Sequence, residues 1–289
     1  MNTLSETVHL SEVCTLGIGG KARLFAEVRS PKEVAALLSY CKENHLRYFV
    51  LGKGSNCLFS SSGLDALVIH NKIEFIEEDG VGGLYVGAGT SFSLLGTRTA
   101  KNGFSGLEFA AGIPASVGGA LFMNAGAQGF CASDALSFVD FVDDEGMLKR
   151  FYKNELEFRY RFSSFQKMKG VIVAAGFLLT PSPVARKTQL ELLETRIKTQ
   201  PYNAKSAGCI FKNTHLGPAG RLIDESGLKG VMCGGAKVST MHANFLINDG
   251  LATSNDFQNL MKLVQEEVLR KKGIFLEPEV YWIHDGAAF

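Results

Sequence analysis

Glu108-Phe-Ala-Ala-Gly-Ile-Pro-Ala-Ser-Val-Gly-Gly-Ala-Leu-Phe-Met-Asn-Ala-Gly-Ala-Gln-Gly129 is the stretch whose reading decides what this chain can fold into. Gly112, Gly118, Gly119, Gly126 and Gly129 are too many for a core strand or helix, where each costs up to about 1 kcal/mol. Ile113, Val117, Leu121, Phe122 and Met123, set between them, are too apolar for a solvated loop. Backbone pressed against a flat, wide ligand accounts for both features; a long flexible loop is the competing reading.

A second glycine cluster lies upstream. Tyr48 to Leu51 reads as a short apolar strand that runs into Gly52-Lys53-Gly54-Ser55-Asn56. Glycines allow close backbone approach, and successive N–H groups can make a nest for an anion. An ordinary tight turn is the alternative. Cys57 stands where G-x-G-x-x-G needs its third glycine, and no G-x-x-x-x-G-K-[ST] occurs, so neither a standard dinucleotide fold nor a P-loop is expected.

Around these clusters the pattern is α+β. Ala22 to Val28 reads as a strand, followed by a helix with Ser30 as N-cap, Pro31 at its first position and Glu33 completing a capping box. Val34, Leu37, Leu38 and Cys41 recur at one-face spacing. Short strands broken by glycine follow from Ala66, then a helix from Ser91 to Asn102 closed by Gly103, then strands near Phe138 to Val142 and Val171 to Leu179. The stretch Ser182 to Lys187 suggests a boundary. Beyond it come a helix carrying Leu190, Leu193 and Ile197, another opened by Pro218, a long one from Ser254 to Gly273, and a strand from Phe275 to Ile283.

Composition narrows the function classes. With 289 residues, two or three subdomains fit. Thirty basic and twenty-nine acidic side chains leave no field for nucleic acid or an anionic membrane. The longest apolar stretch, Val171 to Leu179, is far below the ~20 residues a bilayer needs. The amino-terminal residues lack the basic start and apolar core of a leader, and the six scattered cysteines have no C-x-x-C pair or zinc spacing. A reducing, cytoplasmic setting with no metal is expected.

Together with Thr15-Leu-Gly-Ile-Gly-Gly-Lys-Ala22, the two glycine segments resemble the UDP-N-acetylenolpyruvoylglucosamine reductase family. Tyr160-Arg-Phe-Ser163, Ser206-Ala-Gly-Cys-Ile-Phe-Lys-Asn213, Gly227-Leu-Lys-Gly230, Ser239-Thr-Met-His-Ala-Asn-Phe245 and Leu276-Glu-Pro-Glu-Val280 continue the resemblance in order, eight segments in all. It resembles the shorter form of the family. The resemblance implies a two-subdomain FAD-binding fold of the vanillyl-alcohol oxidase type plus a C-terminal α+β substrate domain, divided here as residues 1–68, 69–184 and 185–289. It implies bound FAD, NADPH as co-substrate, hydride delivery to C3 of a UDP-sugar enolpyruvyl ether and protonation at C2. The partner expected is that small molecule alone, with no nucleic acid and no membrane, and the chain is taken as a monomer.

By the same resemblance, Gly52, Lys53, Gly54, Ser55 and Asn56 hold the FAD pyrophosphate, and Gly112, Ile113, Pro114, Ser116, Gly118 and Gly119 line its ring. Arg161 matches the active-site arginine, whose planar fork suits a carboxylate and a developing enolate. Glu279 matches the active-site glutamate, though Glu277 shares its strand face and, spacing alone considered, either could be a surface carboxylate. Cys209 departs from the family's usual serine proton donor; a thiol of pKa ~8.5 stays mostly protonated at neutral pH. Tyr160, Lys212 and Asn213 are candidates for the substrate. Ala115, where a glycine is usual, and Leu16, where an aromatic is frequent, are further departures. Another FAD-dependent oxidoreductase of the same fold, acting on an alcohol or hydroxy acid, is the alternative reading, and a silent binding module the third.

Overall fold

In the strand Ala22–Val28, Ala22, Ala26 and Val28 are buried on one face and Phe25 on the other, while Arg23 and Glu27 are exposed. In the computed structural model it joins a three-stranded sheet whose centre is Leu64–Asn71 and whose other edge is Tyr48–Leu51. Tyr48 lies opposite Leu67 and Leu51 opposite His70, in parallel register. Helix α1 (Pro31–Glu43) makes the connection. Its Ser30 Oγ accepts the Glu33 N–H at 3.3 Å, and Val34, Leu38 and Cys41 form its buried face. The expected capping box closes one residue early, since the Glu33 carboxylate takes the Arg29 N–H.

The structure describes residues 4–5 and 8–287; the reading of the amino terminus falls partly on residues outside these. The chain divides into two compact units, each built from separate stretches. The first is chiefly Phe25–Lys53 and Ala66–Arg196; the second is chiefly Gly54–Asp65, Ile197–Phe289 and the stretch ending at Leu24.

In the first unit, five antiparallel strands run in the order Leu148–Tyr152, Leu136–Asp143, Gly170–Leu178, Gly83–Gly87 and Ile76–Glu78. One face carries Val86, Val139, Phe141, Ala175 and Phe177 into a core shared with helices α2 (Phe92–Lys101) and α3 (Val117–Phe122). Ser91 caps α2 through the Leu94 N–H, and Asn102 and Gly103 close it. The glycine-rich stretch departs from expectation here: part of it is helix. Ser116 caps α3 through the Gly119 N–H, and an apolar face of Val117, Ala120 and Leu121 seals it into the core. Helix α4 (Ala185–Thr199) forms as read; Ala185 and Gln189 are its buried residues, while Leu190 and Ile197 are exposed.

The second unit has a four-stranded antiparallel sheet, Lys205–Cys209, Phe245–Asn248, Ala236–Val238 and Met232–Cys233. Helices α5 (Ala219–Glu225) and α6 (Ser254–Lys272) supply its core, with Phe257, Leu260, Val264 and Val268 fully buried at helical spacing. Thr253 and Asp256 form a capping box at the start of α6, and Gly273 ends it at φ +69°. The last strand is shorter than expected. Only Tyr281–Ile283 is regular, parallel to Cys57–Phe59. Residues 277–279 bond along 210–212, and Pro278, which has no N–H, sits opposite Phe211 where this pairing needs none. Both units are α+β, as read from the sequence.

Candidate active site

In the first unit, the strand end at Gly52 meets the N-cap of α3. A Cβ at Gly52 would stand 2.3 Å from Ser116 Oγ, so only glycine lets these two segments touch. Ser116 is 3% exposed. The N–H groups of Val117, Gly118 and Gly119 are already taken by Thr90 O at 2.9 Å, Ala88 O at 2.8 Å and Ser116 Oγ at 3.2 Å. This helix start therefore locks its own loop in place and offers those donors to nothing else. Gly112, at φ +81°, gives its N–H to Ser93 Oγ at 2.7 Å. Ala115 needs no left-handed backbone, which removes any conflict from its replacing a glycine.

The residues after Gly52 behave differently. Among the described residues, the N–H groups of Lys53, Gly54 and Ser55 have no protein acceptor. Gly54 is buried and takes φ +61°, and a Cβ there would lie 2.6 Å from Val13 O. Consecutive unsatisfied donors on a tight glycine turn fit the oxygens of a diphosphate, the group FAD would bring.

Arg161 sits at the tip of a hairpin in the first unit. Phe158 pairs with Ser163 and Arg159 with Phe162, so Tyr160 and Arg161 are the turn. Arg161 has φ +57°, a left-handed conformation that costs a residue with a Cβ about 1–2 kcal/mol. Its guanidinium lies over the Tyr160 ring, 4.9 Å from the centroid. Ser163 Oγ donates to Phe122 O, at the end of α3, at 2.7 Å. Gln166 Nε2 donates to both Phe122 O at 2.8 Å and Arg161 O at 3.0 Å. Arg159, the other arginine of the segment, pairs with Glu157 at 2.6 Å and covers the Phe162 ring.

The second unit brings Gly54–Asn56, Cys209 and Glu279 together through the main chain. Thr15 Oγ1 donates to Ser206 O at 2.6 Å, and the Thr15 N–H to Gly54 O at 3.2 Å, tying the glycine turn to the Cys209 strand. Cys209 ends that strand opposite Phe245, after a register slip that begins at Ser206. The Glu279 N–H donates to Ile210 O at 2.7 Å, and the Lys212 N–H to Glu277 O at 2.9 Å. Cys209 and Glu279 therefore stand on adjacent antiparallel segments, one residue apart in register. Asn56 Nδ2 donates to Glu279 O at 3.1 Å, and Asn56 O accepts the Tyr281 N–H at 3.0 Å. Asn244, 2% exposed, brackets Phe211 by accepting its N–H at 2.9 Å and donating to its C=O at 2.8 Å. Both Cys209 and Glu279 are half-buried.

Other candidates separate on the same grounds. Glu277, exposed, takes the Lys212 ammonium at 2.5 Å. Asn213 Oδ1 accepts the Ala219 N–H at 3.1 Å and so anchors the start of α5. Tyr160 is 53% exposed. Burial pushes the Cys57 thiol up to about 12 and the Cys41 thiol up to about 11, so neither forms a thiolate near neutrality. Leu16 is fully buried in the core of the second unit. Among the described residues no group of His, Cys, Asp or Glu could hold a metal ion, and no helix is long and apolar enough to cross a membrane. Sequence reading missed Thr15 and Gln166 as braces; Thr15 lay inside a motif already singled out, whereas nothing local marks Gln166.

Residues 22–152 match the FAD binding domain family, which makes the class of this protein that of an FAD-binding α+β flavoprotein. Residues 200–283 match the C-terminal domain family of UDP-N-acetylenolpyruvoylglucosamine reductase. The UDP-N-acetylenolpyruvoylglucosamine reductase of Protochlamydia amoebophila is 53% identical over 95% of this chain and 92% of its own length. That of Chlamydia trachomatis serovar A is 45% identical over 96% and 95%. The crystal structure of UDP-N-acetylenolpyruvylglucosamine reductase from Thermus caldophilus has a TM-score of 0.84 at 37% identity, covering 98% of this chain and 99% of that one. The chain belongs to the UDP-N-acetylenolpyruvoylglucosamine reductase family.

Proposed function

We propose that this protein catalyses the NADPH-dependent, FAD-mediated reduction of UDP-N-acetylglucosamine enolpyruvate to UDP-N-acetylmuramate, a step in peptidoglycan precursor synthesis. The observation that carries the reading is the main-chain bracket joining the glycine turn, Cys209 and Glu279 in a chain 53% identical to a reductase of that name. Bound FAD, reduced by NADPH, supplies hydride to C3 of the enolpyruvyl ether.

The chain's own residues do the rest. The N–H groups from Lys53 to Asn56, with Gly52 giving the close approach, hold the FAD pyrophosphate. Gly112, Ile113, Pro114, Ser116, Gly118 and Gly119 give the ring a fixed wall. Arg161 binds the substrate carboxylate and takes up the negative charge that grows on it as C3 is reduced. Cys209 gives its Sγ proton to C2. Glu279 sets its carboxyl group beside Cys209, on the adjacent segment. Tyr160, Lys212 and Asn213 serve the sugar nucleotide, Lys212 by exchanging Glu277 for a phosphate oxygen. In this reading, residues 1–68 and 69–184 serve FAD and 185–289 the substrate, in a cytoplasmic monomer with no nucleic-acid or membrane partner.

Anaerobic titration tests it. NADPH should bleach the flavin bands, and the enolpyruvyl nucleotide sugar should restore them with one equivalent of UDP-N-acetylmuramate formed. Bleached protein that this compound does not reoxidise overturns the proposal.

A further inference from the structure

Two-residue strands cannot by themselves hold a left-handed arginine at a hairpin tip. The pairing Phe158–Ser163 and Arg159–Phe162 is the whole ladder, yet Arg161 keeps φ +57°. The constraint comes from the far end of α3. Phe122 is the last residue of that helix, and its carbonyl, like other C-terminal ones, lacks an intrahelical donor. Gln166 reaches it with one amide hydrogen at 2.8 Å and spends the other on Arg161 O at 3.0 Å. Ser163 Oγ holds the same Phe122 carbonyl at 2.7 Å.

A second bracket closes the other side of the turn. Asn124, 5% exposed and itself left-handed at φ +43°, donates Nδ2 to Arg159 O at 3.0 Å and accepts the Ser133 N–H at 3.2 Å. The carbonyls of Arg159 and Arg161 are thus both held, one by Asn124 and one by Gln166, from residues at or just beyond the end of α3.

We infer that Gln166 is a positioning residue that aims Arg161, holding its carbonyl in the left-handed turn by a two-hydrogen bridge to the end of α3, with Asn124 as the counter-brace. The inference rests on the reading of Arg161 as the carboxylate-binding arginine. Release of the Arg161 carbonyl lets the turn relax to ordinary backbone angles and swings the guanidinium away. A misplacement of about 1 Å costs on the order of 100-fold in a step that depends on alignment.

The test separates the two half-reactions of the FAD-loaded enzyme by stopped flow. Gln166→Leu, which keeps bulk and removes both donors, is expected to slow flavin reoxidation by the enolpyruvyl nucleotide sugar by about 10- to 100-fold. Flavin reduction by NADPH and FAD content should stay within about twofold, because Arg161 has no part in them. Gln166→Lys, whose ammonium can donate to both carbonyls, is expected to restore most of the reoxidation rate. Added to Arg161→Ala, Gln166→Leu should cause no further loss. Equal slowing of both half-reactions, loss of FAD, or full additivity with Arg161→Ala would assign Gln166 a general structural role and overturn the inference. An unimpaired Gln166→Leu beside a crippled Arg161→Ala overturns it alone. An unimpaired Arg161→Ala removes the reading of Arg161 and the inference together.

Discussion

Arg161 and the Cys209–Glu279 pair are held by opposite means. Arg161 stands on a two-residue turn in a costly backbone conformation, and side chains, Gln166 and Asn124, hold the turn from outside. Cys209 and Glu279 stand on neighbouring segments whose own N–H and C=O groups do the holding, with Asn56 and Thr15 as outer ties. A side chain on such a turn is aimed by a few removable brackets. A side chain set into a ladder can be replaced without moving the backbone.

That contrast can be broken most sharply at Cys209. Cys209→Ala should slow substrate-driven flavin reoxidation by about 10²- to 10⁴-fold, while Cys209→Ser keeps substantial turnover and loses sensitivity to thiol alkylators. Equal stopped-flow rates for the alanine variant and the parent would remove the thiol from the mechanism. Arg161→Ala comes next, with a loss of about 10²- to 10³-fold in the same half-reaction and unchanged reduction by NADPH. Glu279→Gln keeps the backbone bonds to Ile210 and Asn56, so its expected loss of about 10- to 100-fold in the same step reports the carboxyl group alone.

Two smaller effects probe the scaffold of the first unit. Gly52→Ala brings a Cβ to 2.3 Å from Ser116 Oγ and should destabilise by about 1–3 kcal/mol, as an overpacked contact does. Ser116 Cβ would remain at 3.4 Å, so Ser116→Ala, which alone loses a cap worth about 1 kcal/mol, should relieve part of that penalty. Strict additivity of the two in thermal denaturation would show that the clash is not felt. The smallest effect is at His70, opposite Leu51 at the strand end before the glycine turn. Burial, then the Lys72 charge, lowers its pKa to about 4, with Glu27 opposing. The unfolded chain therefore binds this proton first, and stability should fall as pH drops from about 6.5 towards about 4. His70→Phe should flatten that slope in denaturant titrations at fixed ionic strength.

Much of the fold was legible because its signals are local. Ser30 with Pro31, Ser91, and the stop at Gly273 mark helix ends through contacts within four residues, and the apolar spacing of α6 fixes its buried face. The stripe on α4 shows that spacing describes an apolar face and leaves open whether anything covers it; Leu190 and Ile197 are exposed. The terminal strand shortened because residues 277–279 pair with residues 210–212, far away in the chain, before Tyr281–Ile283 takes up Cys57–Phe59. The helix inside the glycine-rich stretch was hidden for the same reason: Thr90 and Ala88 supply acceptors for its first N–H groups.

Within the site, the order of motifs along the chain was enough to name the chemistry and its candidate groups. Chain order could not choose between Arg159 and Arg161, or between Glu277 and Glu279, because each pair has the same type and nearly the same neighbours. The structure gives the members of each pair different surroundings. Arg159 meets Glu157 and Phe162, and Glu277 meets Lys212, while Arg161 stands on a braced turn and Glu279 beside Cys209. Residue type carries the capacity to bind a charge or move a proton; long-range hydrogen bonds decide where each copy of that type is held.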